Sequence, residues 1–255
     1  MSATEGKANR FVDGVGWVMG IPGKLLLWDK RVNNHKVSGE TSQAVADYLD
    51  ANQLEDVHVR INEYAPGGEW RRLCENRAVG AGWRYTLGSL GLVGYTLLPG
   101  RIFGGDRYNP YTNSVYLYSD IPSLGIEAAA YAKDIHARKF PGTYAAVNEL
   151  PFVGIWHETI ATNDAVAYLK ATSNRDEQVA GTRVLYPNYG VHVGRSVDGL
   201  VGCWPLFQVG GALAGHVTGW REARRIPADA DPVNAEVTPV DRDEGTDAAS
   251  RLSAN

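Results

Sequence analysis

The sequence predicts an α+β fold: a small sheet, a dominant set of helices, and a glycine-rich apolar helical segment near the C-terminal end. Three observations predict it. VHVRINEY (57–64) alternates apolar and polar residues and is rich in β-branched side chains, as a strand buried on one face should be. Several longer runs instead place apolar residues three and four apart, the spacing of a half-buried helix. From Leu200 to Trp220 the chain is apolar, carries no formal charge, and has Gly211, Gly215 and Gly219 at every fourth position.

Taken in order, residues 1–10 are polar and read as loose, and residues 14–28 are apolar and glycine-rich but too short to span a bilayer. Residues 1–37 therefore form an N-terminal segment with potential membrane contact. Residues 38–52 begin with helix-starting hydroxyls and read as a helix, followed by the strand at 57–64. Residues 69–79 read as a second helix, and 95–105 as an apolar strand broken by Pro99 and Gly100. Asn109-Pro110 pivots a turn-rich loop into a strand centred on Val115–Tyr118. A helix then starts at Pro122 and stops before the Pro141-Gly142 pair, and another starts near Pro151 and ends in the polar stretch NRDEQ (174–178). Residues 38–180 form the α+β domain, 181–226 the glycine-rich apolar helical segment, and 227–255 an acidic tail that is disordered unless bound.

With 255 residues and 44% hydrophobic content the chain can bury a sizeable core. A formal charge of −4 gives no basic footprint, which argues against nucleic-acid partners. Cys74 and Cys203 make neither a metal-type cluster nor a disulfide framework and suit a reducing compartment. The N-terminus lacks the pattern of a secretory signal, so the expected location is the cytoplasmic side of a membrane.

The stretch GGDRYNPYTNSVYLYSDIP, followed by a helix running into AKD (132–134) and then by LPFVGIWHETIATNDAVAYL, resembles a small gluzincin-type zinc metallopeptidase family. The resemblance covers roughly residues 95–169. It implies an active-site-type helix behind an edge strand, and a next helix that supplies a glutamate ligand. In that family the helix carries H-E-x-x-H, which sets two ligands at i and i+4 on one face and a base beside the first. Registered on Ser119-Asp120 and Lys133-Asp134, the first histidine falls on Glu127, the base on Ala128 and the second histidine on Tyr131. Only the third-ligand position matches, at Glu158, with Asp164 where such sites keep an orienting acid. Two carboxylates and a phenol, with no base beside them, are a poor zinc set.

The resemblance thus implies a pseudoenzyme with no catalytic residue, metal or cofactor, acting as a structural or accessory subunit with a protein partner in a membrane-associated complex. The alternatives are a metal-dependent hydrolase with an unusual site, and an integral membrane protein with spans near 85–100 and 200–220. His157 adjoins Glu158, but neighbouring helix residues point about 100° apart, so it reads as a surface or packing histidine. His35, His58, His136, His192 and His216 show no ligand spacing, and GGDRYNP reads as a structural turn. Gly211, Gly215 and Gly219 form a smooth strip for close helix packing, expected to dock a partner helix. The tail from Asp229 to Asp247 is expected to bind a basic surface of that partner.

Overall fold

A computed structural model describes residues 2–150, 152–202, 205–230 and 232. The fold is α+β, predominantly helical around one four-stranded sheet. Strand β1 (Ser2–Glu5) leads into helices α1 (Arg10–Met19) and α2 (Ile21–Leu27). Next come α3 (Gly39–Ala51), β2 (His58–Ile61) and α4 (Pro66–Glu75). The short α5 (Ala81–Trp83) continues through a π turn at Arg84–Gly88 into α6 (Ser89–Leu97), followed by α7 (Gly100–Phe103). Strands β3 (Arg107–Asn109) and β4 (Ser114–Leu117) precede α8 (Pro122–His136), α9 (Pro141–Asn148), α10 (Val153–Thr172), α11 (Arg175–Val201) and α12 (Leu206–Arg225).

The sheet order is β1-β2-β4-β3. The first three strands run parallel, with Val59 opposite Val115, and β3 pairs antiparallel with β4 as the far edge. Every residue of β4 is buried, because helices cover both faces. Alternation sends its side chains to opposite sides. The Tyr116 hydroxyl reaches the fully buried Glu69 of α4, which also pairs with Arg60 of β2. Leu117 points the other way, into the contact where Gly125 of α8 meets Val45 of α3.

Three local expectations are corrected. Residues 2–5 form an edge strand rather than a loose end, because parallel pairing with β2 and bonds from Ser2 and Thr4 to His58 hold them. Residues 95–105 are helical, split between α6 and α7: the turn at Leu98–Pro99 interrupts a helix, not a strand. The polar stretch NRDEQ does not close α10. It opens α11, with the Asn174 side chain capping the Glu177 amide and Glu177 returning the bond, a capping box. Consequently α11 runs across the domain boundary expected at 180/181.

Among the described residues no helix is long and apolar enough to cross a membrane, so the helical spans expected near 85–100 and 200–220 are absent. The first region is divided between the π turn, α6 and the Pro99 turn. In the second, α11 ends at Val201, Gly202 takes a left-handed conformation with φ 72°, and α12 begins only at Leu206.

That break makes a hairpin of α11 and α12, the most extensive helix pairing in the molecule. The glycine strip expected to dock a partner helix is covered by α11 of the same chain. A Cβ at Gly215 would lie 2.4 Å from the Tyr186 carbonyl oxygen, and one at Gly211 would lie 2.0 Å from that of Gly190. Backbones this close need glycine. The expectations for Cys203, for a helix start at Pro151 and for the tail beyond residue 232 lie outside the described residues.

Candidate functional site

Helix α8 starts where the extended Ile121 meets Pro122, a residue suited to the first helical turn. Because α8 lies beneath the sheet, α3 and α10, it is buried along most of its length, with Ala129 and Ala132 fully enclosed. Small residues let α10 approach: Ala161 and Ala165 are both buried on the side facing α8. The AKD tripeptide ties the pair together. Lys133 Nζ donates to Asp164 Oδ1 at 2.7 Å, and Asp134 Oδ2 accepts from His157 Nδ1 at 3.0 Å. Burial acts to raise the Asp134 carboxyl, but bonds from His157, Tyr144 and Arg138 hold it below its ordinary value.

This clamp aims Glu127, Ala128 and Tyr131 of α8, together with Glu158 of α10, into one cavity of about 610 Å³. Glu127 is 6% exposed. Its Oε1 accepts from Thr162 Oγ1 at 2.6 Å and its Oε2 from Asn188 Nδ2 at 2.7 Å. Burial pushes this carboxyl up to about 7, and the nearby Glu158 charge adds to the rise. For Glu158 burial also acts upward, but His192 Nδ1, 3.1 Å from Oε1, overcomes it and holds the carboxyl below its usual range. The same pairing overcomes the effect of burial on His192 and raises the imidazole above its ordinary value. Tyr131 lies against His157, with ring centroids 3.4 Å apart, and meets Tyr108 edge-on at 5.5 Å.

The expected site residues thus separate into two groups. Glu127, Ala128, Tyr131 and Glu158 share the cavity, while Asp164 does not line it. Asp164 instead holds Lys133 and the Tyr48 hydroxyl where α3, α8 and α10 meet. His157 is a packing histidine, 3% exposed and bonded to Asp134. In the turn GGDRYNP, Asp106 Oδ1 accepts from the amides of Tyr118 and Ser119.

Sequence reasoning missed Asn188 and His192, both on α11. The available signal was their i, i+4 spacing, continued by Arg195 at i+7, which places all three along one helix face. Without the hairpin, nothing in the sequence aims that face at Glu127.

Chemically, the cavity offers a carboxyl that burial shifts toward its neutral form, a carboxylate–imidazole pair and a phenol. Among the described residues no group of three His, Cys, Asp or Glu side chains is arranged to hold a metal ion. Comparison of the chain with protein-family models, curated proteins and solved structures finds no match.

Proposed function

We propose that this protein is a non-catalytic relative of gluzincin-type peptidases that serves as an accessory subunit on a membrane surface. The observation that carries the reading is an apolar face built from α1, α2 and α12. Phe11 is 79% exposed and Leu25 69%, and Trp17, Val18 and Trp28 project beside them. On α12 the residues opposite the glycine strip, Leu206, Val209, Leu213, Val217 and Trp220, are also exposed at helical spacing. The helices adjoin, since α2 packs on α1 and α12 and the rings of Trp28 and Trp220 lie 5.7 Å apart.

An apolar surface this large is unusual on a freely dissolved monomer. Exposed Arg10, Lys30, Arg221, Arg224 and Arg225 fall at the ends of these helices, where they complement anionic headgroups. The non-catalytic part of the reading is supported by Glu127, Ala128 and Tyr131, which supply neither imidazole ligands nor a base beside them.

Vesicle flotation tests the membrane half. The purified chain should float with protein-free vesicles containing anionic lipid, and Leu25→Asp combined with Leu213→Asp should abolish it. Flotation that needs a second protein would replace the lipid with that protein as the attachment. One feature favours a metal-dependent hydrolase instead: His192 brings an imidazole to Glu158. Peptide cleavage that requires added zinc and is lost in His192→Ala would establish that alternative.

A further inference from the structure

The mouth of the cavity lies within the apolar face. Met19 at the end of α1 and Phe103 at the end of α7 both line it, and both are about half exposed, 49% and 54%. Inward from them the walls are apolar, with Leu26 and Leu27 of α2, Val191 of α11 and Leu124 of α8. The volume falls within the range of about 300–1,000 Å³ typical of small-ligand pockets. A ligand that fills it therefore carries an apolar part.

Hydrogen-bonding groups define the other part. His157 gives Nδ1 to Asp134 and His192 gives Nδ1 to Glu158, and both rings line the cavity. Each carboxylate thus fixes which ring nitrogen is spent. Among the described residues neither Nε2 has a hydrogen-bond partner, nor has the hydroxyl of Tyr131, which also lines the cavity and packs on His157. A neutral imidazole presents Nε2 as an acceptor and a charged one presents it as a donor. A hydroxyl group serves both.

Charge selects a neutral head. Glu158 is matched by His192, while Glu127 accepts its bonds from the neutral Thr162 and Asn188, and burial favours its uncharged form. Arg107 and Arg195 line the cavity too, but both are exposed to solvent, whereas Glu127 and His157 are 6% and 3% exposed. An ionised head drawn in beside Glu127 and His157 would lose its hydration with no unpaired counter-charge there. Hydroxyls carry no such cost once they are hydrogen-bonded.

From this geometry we infer that the cavity binds a neutral amphiphile with a hydroxylated head, of the monoacylglycerol class, its hydroxyls at His157, Tyr131 and His192 and its chain between α2 and α8. The inference rests on the membrane-face reading for the route of access, but not for the binding itself.

Isothermal titration calorimetry on the full chain, with 1-decanoylglycerol below its aggregation concentration, provides the test. Saturable binding of one molecule per chain is expected, weakened by about fivefold or more in Tyr131→Phe and in His192→Phe, each of which removes a hydrogen-bonding group but leaves the Asp134–His157 contact in place. Methyl decanoate, which keeps the chain and lacks the hydroxyls, should bind more weakly; equal binding overturns the hydroxylated head. Leu25→Asp with Leu213→Asp should leave the affinity for decanoylglycerol unchanged while removing flotation, so failure of the membrane reading and failure of this inference are distinguishable. Decanoate or decylammonium binding as tightly overturns the neutral head. Glycerol binding as tightly overturns the amphiphile in favour of a free polyol. Absence of saturable binding, or binding unaffected by both substitutions in variants whose melting shows them folded, overturns the inference as a whole.

Discussion

Glu158 on α10 and His192 on α11 lie 3.1 Å apart and form the one ion pair on the floor of the cavity, among the described residues. The pairing satisfies Glu158, while Glu127, on the facing α8, accepts its hydrogen bonds from the neutral Thr162 and Asn188. The charge state of the floor therefore follows from this contact, and the predictions below test its consequences.

The first concerns pH. Glu127 is raised from 4.5 to about 7, so between those values the folded chain binds more protons than the unfolded one, and stability falls as pH rises. His192, raised above 6.5, adds stability that is present below that value and is lost as pH climbs through its folded value. Glu158 acts oppositely, but only on the acid side, below 4.5. Thermal melting should give a higher Tm at pH 5.5 than at pH 8, with the Glu127 contribution over that interval on the order of 2 kcal/mol. Glu127→Gln should flatten that slope. A Tm that rises over the interval, or an unchanged slope in the variant, contradicts the assignment.

Rebuilding the zinc motif tests the register of α8 against α10. Glu127, Ala128, Tyr131 and Glu158 all line one cavity, so Glu127→His, Ala128→Glu and Tyr131→His together should create a site completed by Glu158. Metal analysis after gel filtration should find no stoichiometric zinc in the native chain and about one per chain in the triple variant, lost again on adding Glu158→Gln. A triple variant that folds without retaining zinc would count against the register.

Close helix approach depends on alanines. Ala129 and Ala161 are 0% and 1% exposed, so leucine at either position overpacks the α8–α10 contact and should cost roughly 1–3 kcal/mol. Neutral melting behaviour of either variant would place that residue outside the contact.

Glycines on α12 divide by the face they occupy. Gly215→Ala would put a methyl 2.4 Å from the Tyr186 carbonyl oxygen and should markedly lower Tm, whereas Gly210 has nothing within 4 Å of the corresponding position. Gly210→Ala should be neutral or stabilise by up to ~1 kcal/mol, as alanine outranks glycine in helices. Equal effects of the two changes would mean that α11 and α12 do not pack through this strip.

By itself the sequence determined the order of the main elements. Alternation in VHVRINEY and the aromatic VYLY locate β2 and β4, and prolines at 122 and 141 bracket α8, because these are local properties of backbone and side chain. It also determined that Glu127, Ala128 and Tyr131 share a helix, since spacings of one and four residues translate directly into angle. Tertiary structure decided what lies opposite. Residues 2–5 become a strand only because β2 offers an open edge. The glycine strip of α12 is equally suited to a foreign helix or its own neighbour, and the left-handed Gly202 turns α12 back onto α11. That same fold-back packing turns the face bearing Asn188 and His192 toward Glu127 and Glu158. A side chain's neighbours across a helix interface depend on long-range closure, which leaves no periodicity in the chain to read.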